Sequence, residues 1–516
     1  MRRTLTIFLS LVTALSAVVS APAAAEPEAF TAPPLRWAPC PEDPGDATLQ
    51  CATLLVPVDW AHPRGARTEV AVARRLATDP SARIGSLLIN PGGPGGSGVD
   101  FAIFGQDYFS AELRRHFDLV GFDPRGVARS HPVLCSLDLV QQFPNFVLND
   151  QREFDAVVAY NQRLREDCRQ HTGPVFDHVD MLSVVRDMDA LRTAVGDRKL
   201  TYYGVSYGSL NGQQYAEQFP DRVRAIVADS NMDHSLGTRD FLLTQASTVE
   251  DSWREFVAWC DRTAGCALHG RDVRALWNGL LARAERGELP NPFDPTRAWR
   301  PEDLIGFILG AFYGPSWSPL AEVLDALDAG RPFLTAQPKA QQGEVVEFFG
   351  LAQFCEDWSL PVRDIRQYAE LVRAQRRVAP DQRWSSNAFP LTVACFGSPR
   401  PVANPQHELR VRDLDRPLLL LNALHDPATG YNWGSNAARQ LGREAVLVTY
   451  DGWGHGVYGR SECTTTPVDR YLISLTLPAR GTHCPGVEPA AGLTVAQRPS
   501  PLNRPAFPTT KQQFPY

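Results

Sequence analysis

The run "KLTYYGVSYGSL", residues 199 to 210, constrains this chain more than any other. A β-prone apolar segment stops abruptly in Gly204-Val205-Ser206-Tyr207-Gly208, a single small hydroxyl between two glycines. A strand that turns sharply into a helix, with a serine held at the apex in a strained backbone conformation, produces this pattern. The glycines are then needed because a Cβ at either place would meet the neighbouring strand and helix. A Gly-Ser turn without chemical purpose would read the same way, since five letters arise easily by chance. The surroundings of Ser206 decide between the two.

Those surroundings alternate short apolar runs with longer amphipathic stretches. "GSLLINPGG", "FDLVGFDPRG", "LTYYGVSYG" and "VRAIVADS" each hold a few apolar residues that end in Gly, Pro or Asp. Runs of that length with no polar face predict parallel strands buried on both sides of an α/β sheet. Between them, "MLSVVRDMDALRTAVG" sets Met181, Val184, Val185, Met188, Leu191 and Val195 at helical spacing, with Gly196 as its C-terminal stop. From 231 to 405 the signals turn helical, with many prolines, no strand series and seven of the eleven tryptophans. Most of those tryptophans read as packing residues. A helical, aromatic-rich insertion between strand-rich blocks predicts a cap over a site. Strand signals resume in "RPLLLLNALHDPATG" and "AVLVTYDGWGHG". The expected division is a core in two parts, 26–230 and 406–484, with the cap at 231–405. A proline-rich tail at 485–516 is expected to be poorly ordered or to wrap the surface.

Arg2 and Arg3, the apolar "LTIFLSLVTALSAVVS" and the small residues of "APAAAEP" read as a secretory signal, residues 1–25, cleaved after Ala25. No other stretch is apolar enough to span a bilayer, so the mature chain is expected to be secreted and free of the membrane. A net charge of −7 without a Lys/Arg stripe makes nucleic acid an unsuitable partner. The ten cysteines are Cys40, Cys51, Cys135, Cys168, Cys260, Cys266, Cys355, Cys395, Cys463 and Cys484. Spacing does not fix their connectivity, but they fall into five short-range couples in chain order, and structural disulfides suit an exported chain. No Cys-x-x-Cys or His-x-x-x-His spacing argues for a metal, and no cofactor is expected.

A serine nucleophile needs a base within hydrogen-bond reach, and the base needs an orienting carboxylate. In α/β hydrolases these follow in the order Ser, acid, His, each in a loop after a strand. Asp426 follows "PLLLLNALH" and His455 follows "AVLVTYDGWG". The 29 residues between them (455 − 426) accommodate strand, helix and strand, the helix being "YNWGSNAARQL". Both side chains are then expected at the C-terminal ends of adjacent strands, where α/β sheets bind ligands. His455 is bracketed by Gly454 and Gly456, which favours it over His425. Asp229, at the end of the strand after the elbow, is the alternative acid, and Asp451 shares the histidine's own loop. The glycine-rich "NPGGPGGSG" after the run "SLLI" predicts an oxyanion hole from the amides of Gly93 and Tyr207. Its prolines, which lack N–H donors, speak against a phosphate loop. In sum, the sequence predicts an α/β-hydrolase fold with a mostly helical cap inserted between the strand after the nucleophile and the strand carrying the acid.

With these features in place, the chain resembles the secreted actinobacterial tripeptidyl aminopeptidases, proline-iminopeptidase-like serine peptidases of the α/β-hydrolase fold. The resemblance rests on "INPGGPGGSG", "FDLVGFDPRGVARS", "LTYYGVSYGS", "FCEDW", and "LLLNALHDPATGY" through "GHGVYGRSEC" to "LPARGTHC", and spans roughly residues 35 to 485. It implies a triad of Ser206, Asp426 and His455 and a cap that holds the substrate's N-terminus. It also supports disulfides Cys463–Cys484 and Cys355–Cys395. Two places depart from the pattern: Asn422-Ala423 stands where a glycine-containing turn is expected, and "CEDW" has two acids where one is usual. The expected activity is release of short peptides, tripeptides by resemblance, from free N-termini through an acyl-enzyme on Ser206. A substrate ammonium needs a carboxylate, for which Asp357 and Glu356 are the candidates. A solvated acidic turn is the plainer reading of those two residues. A carboxylesterase acting on neutral esters with the same triad is the alternative, and a non-catalytic secreted binding protein is the third class.

Overall fold

Apolar runs with no polar face must be covered on both sides, and the structure covers them. The computed structural model describes residues 30–291, 297–331 and 344–490. Its strands and helices belong to the unit Ala32–Tyr516. The expected signal segment 1–25 and the tail beyond 490 lie outside the described residues.

In chain order the strands are β1 (Ala38–Pro39), β2 (Leu49–Pro57), β3 (Arg67–Arg75), β4 (Gly85–Asn90), β5 (Phe117–Phe122), β6 (Leu134–Ser136), β7 (Leu200–Val205), β8 (Val223–Asp229), β9 (Val345–Glu347), β10 (Leu418–His425), β11 (Ala445–Trp453) and β12 (His483–Pro485). Ten form one sheet in the order β1-β2-β3-β5-β4-β7-β8-β10-β11-β12. The pairs from β5 to β12 are parallel, and β1, β2 and β3 add an antiparallel flank. Every residue of β4, β5 and β7 is buried. Alternate residues (Leu87, Ile89, Tyr203, Val205, Ala225, Val227, Leu419, Leu421, Val448) meet in one core cluster on one face of the sheet. Each such Leu, Ile or Val side chain stabilises the fold by about 1.5–3 kcal/mol relative to exposure.

The helix predicted from "MLSVVRDMDALRTAVG" spans Met181–Ala194. Gly196 follows at φ +89°, and the Asp197 amide bonds back to the Arg192 carbonyl at 3.0 Å, closing the end. This helix is tied to the antiparallel flank by Arg125 of the "FDPRG" run. The fully buried guanidinium takes Asp187 at 2.6 and 2.7 Å and the carbonyls of Pro57 and Val58. Asp187 also accepts from Trp60 Nε1 at 2.9 Å. Deleting one member of such a pair leaves a buried charge and costs about 3–5 kcal/mol.

Between β8 and β10 the chain runs through helices that include Thr238–Arg262, Val273–Glu285, Pro301–Tyr313, Trp317–Asp328, Phe349–Asp357, Ile365–Val378 and Ala388–Ala394. Among the described residues of this segment, the strand β9, which pairs antiparallel with β6, was not foreseen by the helical reading. All seven tryptophans of the segment are buried, several ring against ring. The ten cysteines form Cys40–Cys51, Cys135–Cys168, Cys260–Cys266, Cys355–Cys395 and Cys463–Cys484, the chain-order pairing. After β12 the first residues of the proline-rich tail lie against the insertion. Trp259 Nε1 donates to the Pro489 carbonyl at 3.1 Å, and Arg262 pairs with Glu488 at 3.0 Å.

Candidate active site

Ser206 sits between β7 and the helix Tyr207–Gln218 with φ +58° and ψ −124°, a region costly for a residue with a Cβ. The surroundings hold it there. Its amide donates to the Asp229 carbonyl on β8 at 2.9 Å, and its carbonyl accepts from the Ser209 amide and hydroxyl at 2.8 and 2.6 Å. The two flanking glycines are required by space. A Cβ on Gly204 would lie 2.3 Å from the Gly208 carbonyl oxygen, and one on Gly208 would lie 2.9 Å from the Asn90 carbonyl oxygen. The strand, the turn and the helix therefore approach one another at backbone distance.

The acid and the histidine come from β10 and β11, which are paired in parallel, with the helix Tyr431–Leu441 between them. Asp426, just past β10, accepts the amides of Ala428 and Thr429 at 2.8 and 2.9 Å. His455, just past β11, brings Nδ1 to 3.0 Å from both carboxylate oxygens. Both residues are almost completely buried. Nδ1 facing a carboxylate carries the proton, which leaves Nε2 as the basic nitrogen. Nε2 is buried and has no hydrogen-bond partner among the described residues. A serine hydroxyl brought to that nitrogen would donate a hydrogen bond to it and pass its proton across only as the oxygen bonds to an electrophile.

The residues weighed against these are engaged elsewhere. The Asp229 carboxylate accepts from Tyr203 Oη at 2.8 Å and from the amides of Val457 and Tyr458 at 2.8–3.0 Å. It thereby anchors the loop that follows His455, and burial pushes its carboxyl above the usual range. His425 pairs with Asp251 at 2.8 Å, and Asp451 with His483 at 2.7 Å.

The loop after β4 reaches the elbow. A Cβ on Gly92, whose φ is +84°, would stand 2.3 Å from the Val205 carbonyl oxygen and 2.9 Å from the Tyr207 nitrogen. Gly93, Pro94, Ser206 and Tyr207 line a cavity of about 40 Å³. Tyr207 is the first residue of its helix, so its N–H has no acceptor inside the helix. Phe241, Tyr313, Phe354, Leu391 and Trp433 also line this cavity.

Glu356 and Asp357 are drawn into the protein instead of being left open. Glu356 is ion-paired with Arg165. Asp357 is fully buried and accepts from the Met181 amide at 2.7 Å, Tyr207 Oη at 2.7 Å and Asn404 Nδ2 at 3.0 Å. Burial, with the nearby Asp180 charge added, pushes its pKa up to about 8. Neither is among the cavity-lining residues, and no carboxylate is.

Three contributors escaped the sequence reading. Thr429 Oγ1 donates to Asp426 Oδ2 at 3.1 Å, a contact that the local turn "DPAT" could have signalled. Asn422, one of the departures from the family pattern, ties the acid loop down. Its Nδ2 donates to the Thr429 carbonyl at 2.9 Å while its Oδ1 accepts from the Asn231 amide at 2.9 Å. Tyr313, at the end of the helix Pro301–Tyr313, packs its ring on His455; nothing local to either residue announces it.

A family model described as alpha/beta hydrolase fold matches residues 85–459. The chain is 32% identical over 490 residues to Serine protease Hip1 of Mycobacterium tuberculosis, covering 87% of this chain and 91% of that protein. It is 30% identical over 485 residues to a Tripeptidyl aminopeptidase of Streptomyces lividans, covering 87% and 86%. Carboxylesterase B of Mycobacterium tuberculosis is 31% identical over 480 residues, covering 88% and 90%.

Proposed function

We propose, on the premise that this chain belongs to the alpha/beta hydrolase fold family, that it is an exported serine exopeptidase removing short peptides, tripeptides first among them, from free N-termini. The observation that carries the reading is the 3.0 Å contact of His455 Nδ1 with both oxygens of Asp426, just past β11 and β10, in the same sheet in which β8 alone separates β10 from β7, the strand before Ser206. In this reading Ser206 Oγ attacks the scissile carbonyl carbon and its proton passes to His455 Nε2. The amides of Gly93 and Tyr207 receive the developing oxyanion. The C–N bond then breaks as His455 returns the proton to the leaving amine. Water, deprotonated by the same nitrogen, releases the N-terminal fragment from Ser206. Asp426 holds the imidazole in the tautomer both steps need. No metal or organic cofactor enters this sequence.

The cavity beside Ser206, of about 40 Å³, is far below the 300–1,000 Å³ of ordinary small-molecule sites, and no carboxylate lines it to receive a substrate ammonium. Glu356 and Asp357, already engaged by protein partners, are not assigned to it. Export is supported by the segment 1–25 and by five disulfides, which persist in oxidising compartments. No helix among the described residues is long and apolar enough to cross a membrane.

The 31% identity to Carboxylesterase B favours a second reading, hydrolysis of neutral esters by the same residues. Peptides of three to eight residues, with free and acetylated N-termini, separate the two readings when run beside p-nitrophenyl acetate. Release of N-terminal fragments from the free peptides alone supports the exopeptidase. Ester hydrolysis with every peptide intact supports the esterase.

A further inference from the structure

We infer that Tyr313, the last residue of the cap helix Pro301–Tyr313, is a positioning residue for His455, so that the cap itself braces the base. The inference rests on the reading of His455 as the base. Two independent contacts carry it. The Tyr313 carbonyl accepts the His455 amide at 2.8 Å. Its ring meets the imidazole edge-on, centroids 4.9 Å apart and planes at 65°.

The surroundings fix that carbonyl and ring in turn. Arg460 Nη2 donates to the carbonyls of both Tyr313 and His455 at 2.9 Å, and Arg460 Nε donates to the Gly456 carbonyl at 2.6 Å. The guanidinium thus clamps the end of the cap helix and the histidine loop together. The fit explains Gly454, at φ +103°. A Cβ there would lie 2.5 Å from Arg460 Nη2 and 2.7 Å from the Tyr313 carbonyl oxygen. At its far end the phenol accepts from Asn387 Nδ2 at 3.1 Å, and Tyr313 is 1% exposed. The carboxylate of Asp426 fixes the imidazole at Nδ1 but leaves it free to rock about that bond. The Tyr313 ring packed against the imidazole removes that freedom and keeps Nε2, buried and unpartnered among the described residues, in one place.

The phenol hydroxyl is not needed for this task; the ring is. The test therefore compares Tyr313→Phe with Tyr313→Leu in the full-length enzyme, on a free peptide and on p-nitrophenyl acetate, with thermal melting of each variant. An edge-to-face pair is worth about a three- to tenfold effect. Tyr313→Leu is expected to lose that factor in kcat on both substrates with KM nearly unchanged, while Tyr313→Phe stays within about twofold of wild type. A rise in peptide KM with ester kcat intact would make Tyr313 a substrate contact and overturn the proposal. Equal losses in the Leu and Phe variants, tracking a fall in Tm, would make it a packing residue and overturn it too. His455→Ala runs alongside. If that variant keeps its activity, the reading of His455 as base fails. If it is inactive while Tyr313→Leu matches wild type, the bracing role alone fails.

Discussion

The phenol of Tyr207, the residue that follows Ser206, shares a 2.7 Å hydrogen bond with the carboxyl group of Asp357, which lies fully buried on the helix Phe349–Asp357. One side chain of the segment between β8 and β10 thus grips the first residue of the elbow helix, and its other oxygen grips the first residue of Met181–Ala194. Three segments far apart in sequence meet on one acid.

That acid gives the fold a pH dependence with a definite sign. Its pKa is raised from 3.8 to about 8, chiefly by burial. Between those values the folded state keeps a proton that the unfolded chain has released. The associated stability is complete below about pH 4 and is lost as pH rises towards 8. Asp357→Asn cannot titrate, so melting temperatures recorded from pH 4.5 to 8.5 should show wild type losing ground steadily against the variant. Parallel curves would contradict the assignment. Below pH 8 the amide is close to the protonated acid in shape, so kcat/KM for a free peptide and for a small ester should change by the same small factor. A selective loss of tenfold or more on the free peptide would return Asp357 to the role of ammonium receptor.

Thr429 supports the acid through its 3.1 Å hydroxyl contact with Asp426. A hydrogen bond to a charged group contributes about 1.5–3 kcal/mol. Thr429→Ala is therefore expected to lower kcat on both peptide and ester by about tenfold or more, and Thr429→Ser to recover most of it. An alanine variant with wild-type kcat would remove Thr429 from the site's support.

The disulfide Cys463–Cys484 closes a loop of sequence separation 21 and joins the helix Glu462–Ser474 to the edge strand β12. Loop-closure entropy predicts about 3 kcal/mol of stability for a loop of this length. Replacing both cysteines with serine should lower the denaturant midpoint accordingly. A midpoint unchanged within error would show that the unfolded chain gains nothing from losing this link.

What the sequence made legible follows from which forces act locally. β4, β5, β7 and β8 were readable because a parallel strand covered on both faces is apolar throughout. The Ser, Asp, His order and the 29-residue interval were readable because each residue sits in a loop directly after such a strand. The flank β2 and β3 was not read. Burial is mixed along both strands: Thr53 and Leu55 of β2 and Arg67 and Glu69 of β3 are exposed, so neither is covered on both faces as β4, β5 and β7 are. Glu356 and Asp357 were recognised as unusual, but their partners Arg165, Met181, Tyr207 and Asn404 lie 47 to 191 residues away. Local pattern carries no trace of such contacts. The same is true of Tyr313 and His455.

Ser206 is proposed as the residue that forms the acyl-enzyme. The mass of the intact enzyme after a fluorophosphonate has abolished peptidase activity, followed by mapping of the modified peptide, tests this directly. One adduct per chain is expected, located on Ser206, with the fraction labelled equal to the fraction of activity lost. No adduct is expected in Ser206→Ala, whose kcat should fall by about 10⁶. An adduct on another residue, or a fully labelled Ser206 in an enzyme that still cleaves peptides, would contradict it.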